Sequence, residues 1–392
     1  MILYLFTATF PYGKAECFLE DEIKLLCYEF ERVVIIPLSA RKESTRDVPD
    51  NCQVLSPVVL SKRQQYIRGL FCLRTLSLFI SDFFVNKVYL STTRLKEWFV
   101  AMVLTNNLVK SKVVKDILKK MQREDICYFY WGKGSNLLAC IYKGRAKFVS
   151  RFHGEWDLWE ESSGNYAPCR NVLAQSLAKA VFISKRGEEY FKTRYPQCKT
   201  AVYPLGSFDY GECMVKKFGD TVKVVSCSTI YPLKRVPLIF ETLNEMTSLK
   251  IEWTHIGGGK DFEFLKQKIN KEKKSHLSVK LLGSQSHDNV MLHYKYNYFD
   301  VFINLSTNEG VPVSIMEAES FNIPIVATNV GGTSEVVTEQ AGVLVSPNPD
   351  KAEVAEAIKK VLKSQYKPRD YWQSKYNAAV NYSSFAKMLK SL

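Results

Sequence analysis

Residues 301–337 read VFINLSTNEGVPVSIMEAESFNIPIVATNVGGTSEVV, the succession of a strand, a loop, a helix and a second strand. Val301–Leu305 is apolar except for Asn304, the near-continuous pattern of a strand buried on both faces. A loop turns through Gly310, and Pro312 stands where a first helical turn would begin, a position that tolerates its missing N–H. The free amides and positive dipole end of such a helix, from Val311 to Val313, form an anion site suited to a pyrophosphate. Glu309 precedes the helix at the carboxyl end of the strand, and Glu317 stands about two turns in. Two acids beside an anion site repel unless the ligand offers hydroxyls, so Glu317 is expected to accept from a vicinal diol such as a ribose. Gly331-Gly332 reads as a second tight turn at the same sheet edge.

Outward from this stretch the alternation continues. Strands are expected at Lys223–Cys227, Ile251–Ile256, Val279–Leu282, Ile325–Ala327 and Gly342–Val345, with helices near Leu238–Met246, Phe262–Lys271, His287–Tyr296 and Lys351–Leu362. The first half reads likewise, with strands at Ile2–Thr7, Arg32–Pro37, Ile126–Trp131, Lys147–Phe152 and Ala180–Ser184. Apolar strands alternating with helices mean a parallel sheet covered on both faces. At 392 residues the chain exceeds a single core, which stops growing near 250–300 residues. The expectation is therefore α/β: two doubly wound, Rossmann-like domains facing across a cleft. They would span 1–205 and 206–365, joined by a linker at Leu205–Asp220. A segment 366–392 would cross back to the first domain as a C-terminal helix.

The string Glu309-Gly310, Pro312, Glu317-Ala318, Pro324, Ala327, Gly331-Gly332 and Glu335 resembles the E-x7-E signature of retaining glycosyltransferases of family 4, whose fold is GT-B. Val224–Leu243 is similar to the family's phosphate-binding strand, loop and helix. There Lys234 matches the phosphate-binding lysine, and Thr229 stands where the family has an arginine. Arg235 is a candidate substitute, or the pair Lys234-Arg235 is an exposed helix start. Arg151-Phe152-His153-Gly154-Glu155-Trp156-Asp157 resembles the segment whose histidine lies beside the donor sugar. A satisfied core histidine is the alternative. Phe10–Phe18, with Gly13, Lys14 and Glu16, resembles the loop facing donor phosphate and acceptor, although acids there also favour a helix dipole. Trp131 caps another strand and lines the acceptor side or merely packs. Gly257 and Gly259, with Gly283 and Ser284, are expected near the base.

The resemblance implies transfer of a hexose-type sugar from a UDP- or GDP-linked donor to a hydroxyl acceptor, with retention of configuration. Lys234, Glu309 and His153 would be catalytic. Glu317, Arg235, Thr229 and the amides of Gly310, Val311 and Val313 would hold the nucleotide. Arg151, Asp157 and Trp131 would serve the acceptor or phosphate side. No metal or cofactor is expected beyond the nucleotide sugar. The rivals are a nucleotide-sugar 2-epimerase on the same fold and a non-catalytic sugar-binding protein.

Charge adds a separate expectation. Thirteen Lys or Arg stand against three acids between Lys62 and Arg123, in a chain whose whole excess is +14. Aromatic and aliphatic runs thread the same stretch. That pattern suits helices lying on an anionic membrane surface, or a solvated basic face on core helices. No nucleic-acid module accompanies the charge. No run is long enough to span a membrane, and MILYLFTATF reads as a buried strand. Ten cysteines without metal spacing suit reduced thiols in a cytoplasmic protein, and the basic stretch would bind it peripherally to the inner membrane face. The acceptor is then expected to be a lipid-linked saccharide.

Overall fold

A computed structural model describes the chain except residues 14, 15, 17, 41–44, 59–61 and 212–218, and except the side chains of 62–64, 155 and 162. Lys14, Cys17, Cys213 and part of the expected linker thus lie outside the described residues. The chain forms two compact units, Met1–Tyr203 with Tyr382–Leu392, and Pro204–Asn381.

The first unit opens with β1 (Ile2–Thr7), α1 (Leu19–Glu29), β2 (Arg32–Pro37) and β3 (Cys52–Val54). Four helices follow: α2 (Lys62–Gly69), α3 (Leu73–Val85), α4 (Thr92–Lys110) and α5 (Lys112–Lys120). The alternation then resumes with β4 (Ile126–Phe129), α6 (Leu138–Ile141), β5 (Lys147–Phe152), α7 (Glu155–Leu158), α8 (Arg170–Ser176), β6 (Lys179–Phe182), α9 (Lys185–Arg194) and β7 (Thr200–Val202). Seven parallel strands lie in the order β3-β2-β1-β4-β5-β6-β7. The two strands the sequence did not announce, β3 and β7, are three-residue edge strands with no fully buried residue. They carry no apolar run to read.

The second unit contains β8 (Thr221–Cys227), α10 (Val236–Glu245), β9 (Lys250–Ile256), α11 (Phe262–Glu272), β10 (Leu277–Leu281) and α12 (His287–Tyr296). It continues with β11 (Val301–Asn304), α13 (Val313–Ser320), β12 (Ile325–Thr328), α14 (Thr333–Val336), β13 (Gly342–Val345), α15 (Lys351–Lys363) and α16 (Pro368–Lys375), and α17 (Ala378–Lys390) begins in it. Its six strands are parallel, in the order β10-β9-β8-β11-β12-β13. The expected crossover segment 366–392 divides. Residues up to Asn381, including α16, stay with the second unit, where Trp372 is fully buried and donates to Ser207 Oγ at 2.8 Å. Only Tyr382–Leu392 joins the first, placing Phe385, Ala386 and Leu389 in one core with Leu3, Leu5, Val33 and Ile35.

Strand order fixes where ligands go. In each sheet the chain builds outward one way and then returns to the other side, between β1 and β4 and between β8 and β11. At such a switch point the loops at the carboxyl ends diverge and leave a crevice.

Candidate functional site

At the β8/β11 switch point, Lys234 Nζ lies 2.6 Å from Glu309 Oε1. Asn304, the last residue of β11, donates to the same oxygen at 3.2 Å. Lys234 ends a single 3-10 turn, Pro232–Lys234, that the Thr307 amide ties to the next loop by donating to Leu233 O at 2.8 Å. The cation and the acid expected from the sequence are therefore brought together, both largely buried. Arg235 is placed differently. Its backbone is left-handed, at φ 47°, and its guanidinium donates to the carbonyls of Leu305, Ser306 and Pro347 and to the Asn348 side chain. It braces the loops at the ends of β11 and β13, so the expectation that Arg235 substitutes as a phosphate cation is corrected. Thr229 stands exposed on the loop after β8.

Pro312 caps α13, so the amides of Val313 and Ser314 in its first turn have no intrahelical acceptor. Gly310 and Val311 precede them. The Gly331-Gly332 turn holds this loop from behind. Gly332 N donates to Gly310 O at 2.8 Å, and a Cβ on Gly331, at φ 54°, would fall 1.6 Å from Glu309 O. Gly257 N likewise donates to Gly283 O at 2.9 Å and leaves no room for a Cβ against Ser228 O, while Gly259 packs on Ile230. Ser284 is exposed beside this turn.

Glu317 is nearly buried, and His287 Nε2 donates to its Oε1 at 2.9 Å. Sequence reasoning missed His287, the first residue of α12. Its only signal was closeness to Gly283-Ser284. Two residues past Glu317, Glu319 is fully buried, and neither carboxyl oxygen has a hydrogen-bond partner. Burial pushes its pKa well above the usual carboxylate range.

In the first unit, at the β1/β4 switch point, Glu16 accepts from the amides of Ala8, Thr9 and Phe10 at 2.7–2.8 Å and from Trp131 Nε1 at 2.7 Å. Its backbone is left-handed (φ 56°), and Gly13 nearby is at φ 69°. The Glu16 carboxylate thus fills an amide nest and holds Trp131 instead of facing a ligand, a correction to the expected role. His153 packs between the rings of Tyr130 and Trp131, each 4.6 Å away, and its Nε2–H donates to Tyr130 O at 2.9 Å. Burial, reinforced by the Arg151 cation, pushes its pKa down to about 3, so the ring is neutral. Asp157 is fully buried and accepts from the amides of Gly132 and His153, bracing the turn rather than reaching a ligand.

Arg151 is corrected outright. It is fully buried inside β5, ion-paired to Glu22 at 2.6 Å, donating to Tyr203 O and lying over the Phe385 ring. Glu22, in the first turn of α1, is likewise fully buried. Trp156, which the sequence reading did not single out, packs its ring tilted against Trp131 at 5.2 Å and stays 48% exposed.

Two parallel, doubly wound units with polar groups at the carboxyl ends of their switch-point strands define the GT-B architecture. Residues 215–378, within the second unit, match the family profile described as "Glycosyl transferases group 1". The chain is 28% identical over 149 residues to a subunit of the phosphatidylinositol N-acetylglucosaminyltransferase of Arabidopsis thaliana, covering 38% of this chain and 32% of that protein. It is 33% identical over 112 residues to the O-antigen biosynthesis glycosyltransferase WbnH of Escherichia coli, covering 28% of this chain and 30% of that protein. The chain thus spans about a third of the length of the curated relatives it matches. Among solved structures, the lipopolysaccharide outer core galactosyltransferase WaaB in its apo form superposes with TM-score 0.69 at 13% identity, over 100% of this chain and 99% of that one. Anabaena Alr3699/HepE in complex with UDP superposes with TM-score 0.67 at 16% identity, over 100% of each. These likenesses establish the shared fold.

Proposed function

We propose that this chain is a retaining glycosyltransferase of family 4, moving a hexose-type sugar from a UDP- or GDP-linked donor to a hydroxyl of a lipid-linked saccharide in surface-glycan assembly. The observation that carries this reading is the Lys234–Glu309 pair set beside the first turn of α13 at the β8/β11 switch point. In the proposal Glu317 holds the ribose, with His287 orienting its carboxylate. The glycines at 257, 259 and 283, with Ser284, border the base. Lys234 and the amides of Val311 and Val313 receive the diphosphate, and Glu309 binds sugar hydroxyls. As the bond from the anomeric carbon to the diphosphate oxygen breaks, the electron pair leaves on that oxygen. Fixed donors aimed there lower the barrier most, and Lys234 and the amides supply them without calling for a metal ion. In the first unit, His153 serves the donor sugar as a neutral hydrogen-bonding group, and Trp131 with Trp156 offers an aromatic surface for the acceptor.

No helix among the described residues is long and apolar enough to cross a membrane. The reading places the protein peripherally on the anionic inner face of the cytoplasmic membrane, through its basic helices. Titration with UDP, GDP and their sugars, followed by incubation of the bound nucleotide sugar with and without acceptor, tests the enzyme reading. Transfer that requires acceptor supports it. Conversion of the nucleotide sugar alone supports the epimerase, and binding of none of them removes both.

A further inference from the structure

A groove of about 740 Å³ opens in the first unit between the start of α3, the helix α5 and the turn after α6. Leu73, Leu118 and Tyr142 form its apolar wall, while Arg74, Lys115, Lys119 and Arg145 stand around it, and no acidic residue lines it. Arg74 lies over the Tyr142 ring. Lys115, Lys119 and Arg145 are exposed and pair with no acid among the described residues. Lys110, the last residue of α4, also lines the groove, but its Nζ donates to the carbonyls of Arg68 and Phe71 and clips α4 to the end of α2 and the link after it.

Helix α3 is apolar on both sides, with Phe79 buried in the core at 2% exposure. Its polar residues Thr75 and Asp82 point inward, bonded to Asn106 and to Tyr166 and the Cys169 amide. Its apolar residues Leu73, Leu76, Ile80 and Phe84 point outward, 38–77% exposed. Their spacing is that of one helix face, and Leu73 belongs to both the stripe and the groove wall. Water is a poor partner for such a face, and so is a soluble polyanion, which has no use for the stripe. A phospholipid bilayer presents phosphate and hydrocarbon side by side.

We propose that this groove seats the phosphate headgroup of an anionic membrane phospholipid, with the Leu73–Leu76–Ile80–Phe84 stripe lying among its acyl chains. The proposal rests on the peripheral-membrane part of the proposed function and names the place where that contact is specific. It concerns a site distinct from the sugar-transfer groups, since Tyr142 and Arg145 precede the amino end of β5, away from the carboxyl-end loops.

The test uses the full chain and vesicles of phosphatidylcholine with or without phosphatidylglycerol. The triple variant Arg74→Gln, Lys119→Gln, Arg145→Gln should lose affinity for anionic vesicles about 100-fold, each cation near the surface counting for roughly a factor of five. A control with equal charge loss in the same stretch but outside the groove, Lys96→Gln, Lys112→Gln, Arg123→Gln, should lose less than about threefold. Leu76→Asn with Ile80→Asn should weaken binding at every salt concentration. Equal loss in the two triples overturns the groove and leaves the membrane reading standing. Failure of the wild type to bind anionic vesicles overturns both. Dihexanoyl-phosphatidylglycerol below its micelle concentration should bind one per chain; competition by inorganic phosphate at equal strength would reduce the site to an anion site and overturn the lipid assignment.

Discussion

Lys234 and Glu309 share an ion pair of 2.6 Å that joins the loops after β8 and β11, so each sets the electrostatic surroundings of the other. Lys234→Ala should cut turnover by about 10²–10³, as loss of one oxyanion donor does, and by more than it raises the donor KM. Leaving-group charge is largest in the transition state, where the cation helps most. Because Arg235 is held by carbonyls, a Thr229→Arg side chain meets no competing cation from that residue and should partly rescue Lys234→Ala. Steady-state kinetics of the two variants and their combination decide it; absence of any rescue would mean that Thr229 does not face the phosphates.

Arg235→Ala should behave as a structural lesion. It removes charged hydrogen bonds to four residues, and one such bond is worth about 1.5–3 kcal/mol. Denaturant unfolding should show at least that loss. A variant of unchanged stability but impaired nucleotide binding would restore Arg235 to the phosphate site.

Glu317→Ala should weaken UDP or GDP binding by about 1.5–3 kcal/mol, the worth of a hydrogen bond to a charged group, and more than Glu309→Ala does. His287→Ala, acting only through Glu317, should weaken it less. Calorimetric titration orders the three; equal affinity in the Glu317 variant and the wild type removes the ribose assignment.

The neutral ring of His153 gives a pH signature. Its folded pKa of about 3 lies below the unfolded value of about 6.5, so the unfolded chain binds the extra proton between them. This residue's contribution to stability is therefore intact above about 6.5 and declines as pH falls toward 3. His153→Ala should flatten that part of the stability profile, leave nucleotide affinity near wild type and slow transfer. A rate limb near pH 6.5 that vanishes in the variant would contradict the neutral assignment.

Glu319 has the opposite sign. Its raised folded pKa means that the folded chain binds a proton the unfolded chain releases above about 4.3, so this residue costs stability as pH rises past that value. Glu319→Leu, which removes two buried oxygens without partners, should raise Tm at pH 7 and narrow that gain near pH 4. An unchanged Tm at pH 7 would show that the carboxyl is solvated after all.

The second unit was legible because its strands alternate with helices from Val224 to Val345, and β11, β12 and β13 carry apolar runs. The acid of its candidate site was legible beside Gly310 and Pro312, and Lys234 through the resemblance of Val224–Leu243 to the family's phosphate-binding segment. Arg151 was not. Sequence places it two residues before His153, but β5 ends at Phe152, so Arg151 is enclosed within the sheet while His153 lies in the turn beyond it, and the partner that makes burial tolerable, Glu22, is 129 residues away. Glu16 looked like a helix-start acid for the same reason, since its amide nest is built by residues 8–10 and only the folded loop closes it. His287 carried no signal of its own, because a histidine after a capping serine is ordinary at a helix start.

The place of Phe385, Ala386 and Leu389 in the core beside β1 and β2 has a consequence for synthesis. Strands β1 and β2 leave the ribosome long before α17, whose residues cover one face of their sheet. At roughly 5–20 residues per second, about 180 residues separate Tyr203 from that helix, so the first unit waits on the order of 10–40 s with an apolar face open. The second unit, whose matched stretch ends at residue 378, can complete its own sheet before then. The newborn chain is therefore expected to fold its later half first, and to depend on holdase chaperones for the earlier one.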